Sequence, residues 1–283
     1  MQNINRALQW SKEDLVLLEK KLNVQNFEFF KKFCKDFQDL EQQLFNKVPS
    51  ETTVTLMKKS LPSFYTIESK FFHFNYSYFY KLRNFVNALK FGFTQRNFLT
   101  VVCIARSMLE TSCCQLYFID KIDRQMRKLS KPNEVTSEAI ARVMFQIVSE
   151  LDQSHTGTSF EWETHLANGF IPKTKKQLHI NDPLRLAEKV TTKPIQKYYS
   201  LLSEMTHPNF GSNLLVIESR GRENNDLFEL VLGDGIGSES LLFFFDNLAE
   251  TLSVLMQISL QAINSSNNNA AYFTQLTELG DKR

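Results

Sequence analysis

Turn-forming residues are scarce in this chain of 283 amino acids. It contains only 9 glycines and 7 prolines, whereas phenylalanine occurs 25 times. Few helix breakers and many large apolar side chains argue against a protein of short strands and tight turns. We therefore predict an all-α fold, a multi-helix bundle with one large core.

Neither sign of charge dominates the sequence. The 33 Lys and Arg residues nearly balance the 31 Asp and Glu residues, which leaves a formal net charge of +2. The net charge of the whole protein is therefore too small to attract nucleic acid electrostatically, although a local patch of basic residues is compatible with this balance. With 42% hydrophobic and 23% charged residues, the composition is that of a globular protein and excludes a disordered or fibrous one.

Cysteine is also rare and has no metal-binding spacing. None of the four residues forms a C-x-x-C pair and three lie in one apolar segment, which predicts reduced, buried thiols in a cytosolic protein. The glycine-rich motifs of nucleotide-binding proteins and the nucleophile motif of α/β-hydrolases are missing, so we expect no cofactor. The cysteines are Cys34, Cys103, Cys113 and Cys114.

Two segments, residues 98–119 and 241–263, are apolar enough to raise the question of a membrane. Each carries charges near its middle: Arg106 with Glu110 in the first, and an acidic pair, Asp246 and Glu250, in the second. A charge at the centre of a span costs about 2.5–3.5 kcal/mol on insertion scales, and the N-terminus has no apolar signal core. We therefore expect two buried central helices, no membrane partner and a cytoplasmic protein.

Capping residues and apolar periodicity predict the helices. Ser11, with an acid three residues later, marks the start of a helix that runs to about residue 47. Gly92 is predicted to end the second long helix, and Thr94 to cap the next one. The further predicted helices cover residues 64–91, 95–129, 134–153, 182–190, 194–206 and 239–264.

The remaining segments complete the predicted architecture. Residues 154–180 are predicted to be a mobile loop, and the apolar runs at 214–219 and 227–232 predict a small β-hairpin insertion near 214–232. We predict three parts: N-terminal helices that pack on the core (1–92), a central helical bundle with a buried polar cluster (93–264) and a flexible tail (265–283).

The predicted polar cluster comes from two helices. Arg106 and Glu110 are four residues apart and share a helix face, as do Ser203 and His207 later in the chain. Arg106 with Glu110 forms either a structural ion pair or a positioned cation, and the acids of the last helix could replace Glu110. His207 either caps its helix or acts as a general acid/base.

Several residues near His207 are candidates for binding. A basic surface that leads to His207 would suit RNA, although most lysine clusters are merely solvated. Glu204 and His207 form one E-x-x-H motif, but a dimetal bundle needs two, so we expect no metal site. The predicted binding residues are Lys193, Lys197, Tyr199 and Asn209; further lysines near them are Lys173, Lys175, Lys176 and Lys189.

Two helix motifs occur in order along the chain: R-x-x-x-E, from Arg106 to Glu110, and Y-x-x-L-S-x-x-x-H-P, from Tyr199 to Pro208. This combination resembles a group of uncharacterised bacterial helical-bundle proteins. These are distantly similar to HEPN and abortive-infection bundles, and the similarity covers roughly residues 95–209 and the final helix. It implies an all-α bundle. HEPN ribonucleases carry an Arg a few residues before a His at a dimer interface; here Arg106 would supply that charge from another helix.

These observations lead to two main expectations of function. The first is a bacterial defence-type or toxin-like module that binds RNA or a protein partner; its enzymatic variant is a metal-independent endoribonuclease in which His207 is the acid/base and Arg106 stabilises phosphate charge. The second is a non-enzymatic scaffold subunit whose polar cluster is purely structural. In either case we expect a homo-oligomer or a subunit of a complex. A metal-dependent bundle that uses Glu204 and His207 is a weaker third.

Overall fold

The computed structural model describes residues 10–55, 63–128, 137–156, 178–207, 215, 217–221, 228–232 and 238–281. Within these ranges the chain forms eight α-helices and one two-stranded ribbon. The prediction of an all-α helical bundle is confirmed. The helices are α1 (Lys12–Lys21), α2 (Val24–Gln42), α3 (Phe64–Thr94), α4 (Phe98–Arg127), α5 (Ser137–Thr156), α6 (Asn181–Thr191), α7 (Ile195–Thr206) and α8 (Ser238–Asp281).

The ribbon and one short helical turn complete the described elements. Strands β1 (Ile217–Gly221) and β2 (Phe228–Leu232) pair antiparallel, with the first residue of β1 opposite the last residue of β2. A π-helical turn (Gln43–Lys47) extends α2. Most of the predicted loop at 154–180 lies outside the described residues.

The last helix, α8, is the centre of the bundle and packs against α2, α3 and α4. Helix α2 runs parallel to α8: Asn26 near its start donates to Asp246, and Asp36 farther along α2 lies beside Gln257 farther along α8. Helices α4 and α8 also run parallel, whereas α3 runs antiparallel to both. The predicted parts 1–92 and 93–264 therefore share one core, which extends from Trp10 to Ile263.

A row of buried polar pairs joins α4 to α8. The hydroxyls of Ser112 and Ser259 lie 2.8 Å apart, and the Gln115 amide donates to Ser266 over 2.9 Å. All four residues are buried. We call these two pairs the polar seam. Because a buried polar group must find a partner, the seam fixes the alignment of the two helices.

The first helix boundary differs from its prediction. Ser11 caps α1 as expected, since its hydroxyl accepts from the backbone N–H of Asp14 over 3.1 Å. The predicted continuous helix to residue 47, however, is wrong. It breaks after Lys21, and the side chain of Asn23 caps α2 by accepting from the Asn26 N–H over 2.8 Å. An Asn side chain competes with the helical backbone in this way.

Gly92 does not end α3, as predicted, but lies inside it. A Cβ atom at this position would lie 2.8 Å from Cγ2 of Val101 on α4. The glycine therefore permits the close approach of the two helices. Asn97, and not Thr94, caps α4 by accepting from the Thr100 N–H over 3.0 Å.

The predicted flexible tail is also wrong for residues 265–281. Helix α8 continues to Asp281, and its C-terminal half makes core contacts. Phe273 is 3% exposed and packs on Phe71 with ring centroids 4.9 Å apart. Residues 282–283 lie outside the described part of the chain.

Over the described residues, one segment of helix, Leu241–Gln275, is long and apolar enough to cross a membrane. Of its apolar window, 67% is buried inside the protein. Burial of this kind is typical of a core helix, and α8 packs against α2, α3 and α4.

Candidate functional site

Arg106 on α4 is the centre of a polar network that ties α7 to the bundle. Its Nη1 donates to the Thr206 hydroxyl over 3.0 Å, and its Nη2 donates to the Tyr199 hydroxyl over 3.1 Å. Its Nε donates to Glu110 Oε1 over 3.2 Å, as the four-residue spacing predicts. The guanidinium carbon also lies 5.3 Å from the centre of the Tyr199 ring. One cation is thus held by a carboxylate, two hydroxyls and an aromatic face.

The network is half-buried, which corrects the predicted central position of the polar cluster. The side chains of Arg106 and Glu110 are 28% and 36% exposed. Burial alone would lower the pKa of Arg106, but the Tyr199 hydroxyl and the Glu110 carboxylate outweigh it and raise that pKa. The guanidinium therefore remains charged, and two of its five N–H groups are left for solvent or a ligand.

Thr206 belongs to this network, although the sequence analysis did not select it. Its hydroxyl accepts from Arg106 and donates to the carbonyl of Ser203 over 2.9 Å. A helix turns about 100° per residue, so Thr206 lies only about 20° from Tyr199 around the helix axis. His207 lies about 80° from Tyr199. The seven-residue spacing was the signal that could have identified Thr206.

The structure does not bring His207 into the Arg106 network. The residue is exposed, and its imidazole makes no hydrogen bond or ion pair with any residue that the structure describes. It forms the C-cap of α7, where its backbone N–H donates to the Ser203 carbonyl over 3.1 Å. The predicted buried pairing of His207 with Arg106 is therefore wrong, although the two helices that carry them do touch.

Ser203 is also separate from the Arg106 hydrogen bonds. Its Oγ is buried and has no hydrogen-bond partner among the residues that the structure describes. An unsatisfied buried hydroxyl costs about 1–3 kcal/mol, so Ser203 contributes no hydrogen-bond energy to the attachment of α7 to the bundle.

A second tyrosine anchors α7 to the other side of the bundle. The Tyr198 hydroxyl donates to Glu250 Oε1 on α8 over 2.8 Å. Burial, and then the Glu250 carboxylate, raise the pKa of Tyr198 well above its ordinary value. Glu250 therefore bonds Tyr198 and does not replace Glu110 beside Arg106; Asp246 accepts from Asn26 instead. Adjacent tyrosines thus hold α7 to α4 and to α8.

Helix α6 fixes the start of α7. Pro194 precedes α7 and supplies no side-chain cap, but Glu188 of α6 accepts from the Gln196 backbone N–H over 2.9 Å. Its other oxygen accepts from the Gln196 side chain over 2.7 Å. A carboxylate at this end also complements the helix dipole. Thr192, at φ 56°, makes the tight turn between the helices.

The outer face of α7 carries the exposed charges of the site. Lys197, Ser200, Glu204 and His207 are exposed at spacings of three or four residues, so they follow one face of the helix. Lys193, just before α7, is exposed as well. We call these five residues the α7 face. Asn209, also predicted to bind, lies outside the described residues, as do the lysines at 173, 175 and 176.

The described residues offer no metal centre. Nowhere in the described ranges do three or more His, Cys, Asp or Glu side chains come together to hold an ion. The prediction of buried thiols holds for Cys34 and Cys113, while Cys114 is partly buried and Cys103 is exposed. Burial raises the pKa of Cys114 to about 12, which makes this thiol a poor nucleophile or ligand.

No family model, no curated protein and no solved structure matches this chain.

Proposed function

We propose that this protein is a helical binding module of the bacterial defence or toxin type, and that the α7 face binds RNA. The single observation that carries the proposal is the exposed imidazole of His207, which shares the outer face of α7 with Lys197, on a helix whose inner side is fixed by bonds to α4 and α8. The resemblance of the two helix motifs to abortive-infection bundles supports the defence class.

The anchoring of α7 supports binding through a prepared surface. Tyr199 and Tyr198 hold the helix to two different neighbours, and Glu188 fixes its first turn. A rigid surface loses little conformational entropy when it binds a partner. The lysine ammonium groups contact phosphate oxygens, and the imidazole ring of His207 stacks on unpaired bases.

The position of Arg106 favours binding over cleavage. Three of its N–H groups are already bonded to Glu110, Tyr199 and Thr206, so most of its hydrogen-bonding capacity is unavailable to a phosphate. A catalytic His207 would need a second group to stabilise developing charge. Endoribonuclease activity is therefore the less favoured variant of this proposal.

Fluorescence anisotropy with a labelled single-stranded RNA tests the proposal. We expect binding that weakens steeply with salt, and a loss of affinity of about tenfold or more at low salt in Lys197→Glu. Lys20→Glu reverses an exposed charge on α1 and serves as the matched control, with only a small expected effect. Equal losses in both variants would contradict a site on α7.

Gel analysis of the same RNA separates binding from cleavage. Intact RNA after long incubation supports a binding module, whereas fragments that disappear in a folded His207→Ala variant would support the ribonuclease variant.

The second candidate function is a non-enzymatic scaffold subunit. The hydrogen bonds of Arg106 to Tyr199 and Thr206 favour it, because they join two helices of the protein and so suit a structural role. Absence of RNA binding, together with co-purification of a protein partner that Lys197→Glu abolishes, would support the scaffold instead.

A further inference from the structure

A groove far from α7 in sequence lies at the start of α3. Its volume is about 400 Å³, which is within the range of small-molecule sites. One wall is the extended segment after α2, including Thr52 and Thr55. The other is a single face of α3, because Tyr65, Glu68, Phe72 and Tyr76 recur at spacings of three or four residues.

The walls of this groove are held in place from outside it. Tyr76 contacts Phe72 and stacks on Tyr80, with ring centroids 6.4 Å and 6.3 Å away. The Tyr80 hydroxyl in turn donates to the Pro49 carbonyl over 3.0 Å and contacts the Thr52 hydroxyl at 3.2 Å. The row of rings therefore attaches the extended wall to α3, so the groove exists before any ligand binds.

Glu68 is the distinctive group in the groove. It is half-buried, yet it makes no ion pair or hydrogen bond with any of the described residues. Two other half-buried glutamates are paired with lysines: Glu41 with Lys90 at 2.5 Å and Glu150 with Lys121 at 2.8 Å. A partly desolvated carboxylate with no partner among the described residues favours a cation in the adjacent space.

We propose that this groove binds a small organic cation with an alkylammonium head. Aromatic faces attract ammonium groups through their ring quadrupoles, and Tyr65, Phe72 and Tyr76 supply three such rings beside the Glu68 carboxylate. The apolar body of the ligand lies on the same rings. Among the lining residues, Thr52 and Thr55 offer hydroxyls to polar substituents of the ligand, and the Ser69 hydroxyl, which donates to the Thr66 carbonyl over 3.1 Å, can accept a hydrogen bond. This site is independent of the α7 face.

Saturation-transfer NMR on the full chain tests this proposal with choline and its neutral isostere, 3,3-dimethylbutan-1-ol. The two probes have nearly the same shape and differ in charge. We expect choline to bind about tenfold more tightly, since the charge is what the rings and the carboxylate recognise. Equal binding of the two probes, or no binding of choline, would overturn the proposal.

Two variants with matched controls locate the site. Glu68→Gln is expected to weaken choline binding about tenfold, while Glu19→Gln, at an exposed position of α1, leaves it unchanged. Tyr65→Ala is expected to weaken it, while Tyr272→Ala does not; both tyrosines are comparably exposed, at 49% and 43%. Unchanged circular dichroism establishes that the variants fold. Choline binding that survives Glu68→Gln and Tyr65→Ala would place it elsewhere and refute the assignment.

Discussion

At the scale of single residues, the spacing of charges predicts local pairs but not their partners from other helices. The four-residue spacing of Arg106 and Glu110 correctly indicates their ion pair. The contacts of Arg106 with Tyr199 and Thr206 join residues about a hundred positions apart, which no local pattern encodes. His207 was misplaced because an eight-residue step carries a side chain too far around a helix from Tyr199.

Loss of the Arg106 network should destabilise the fold. We expect Arg106→Met to lower the free energy of unfolding by about 1–3 kcal/mol, because the hydroxyls of Tyr199 and Thr206 lose a charged donor. Urea denaturation followed by circular dichroism measures this change. Arg142 offers a matched control, since it also pairs with a glutamate four residues away, but with both side chains 70% or more exposed.

Arg142→Met should alter the free energy of unfolding by less than about 0.5 kcal/mol, as is usual for an exposed pair on a helix. If the two arginine variants were equally stable, the Arg106 network would have no structural role. Its cation would then be held in position only for a ligand.

At the scale of elements, the type and order of the helices follow from the sequence, whereas their ends do not. The long apolar stripes of α3, α4 and α8 predict those helices well. Gly92 was taken as a terminator because glycine commonly follows a helix end. In the structure it serves helix packing, and that role depends on a side chain of another helix.

The close approach at Gly92 predicts that the effect of Gly92→Ala on stability changes sign when Val101 is replaced by alanine. Gly92→Ala should reduce stability by about 1–3 kcal/mol, because the new methyl group overlaps the Val101 side chain. In the Val101→Ala background the same substitution should be neutral or stabilising by up to about 1 kcal/mol, because alanine favours a helix more than glycine does. Thermal or urea unfolding of all four proteins gives the coupling energy.

A stabilising effect of Gly92→Ala in the presence of Val101 would mean that α3 and α4 separate more easily than the structure indicates. The glycine would then be dispensable for packing.

At the scale of the whole molecule, two hydrophobic clusters among the described residues support the bundle. The second cluster is formed by residues of α3, α4, α5 and α8, among them Phe71, Phe118, Ile147 and Phe273. The sequence predicts a flexible tail after residue 264 because three successive asparagines interrupt the apolar pattern of α8. The contact of Phe273 with Phe71 spans about two hundred residues and could not be inferred from local composition.

The neighbouring aromatic residues Phe273 and Tyr272 provide a direct test of this tail. Phe273→Ala should lower the free energy of unfolding by about 3–5 kcal/mol, the usual cost of a large cavity in a core. Tyr272→Ala, at a position that is 43% exposed, should cost less than about 1 kcal/mol. Chemical denaturation of both variants measures the difference. Equal, small effects would show that the tail is frayed after all.

The polar seam between α4 and α8 restricts how this protein can move. Its serine and glutamine partners face each other in only one alignment of the two helices. Sliding one helix by a single turn, about 5.4 Å, would leave these groups opposite aliphatic side chains without water to replace the lost bonds. The two pairs therefore oppose sliding of α4 along α8, whereas a rotation of the smaller helices about this helix pair leaves the two hydrogen bonds intact.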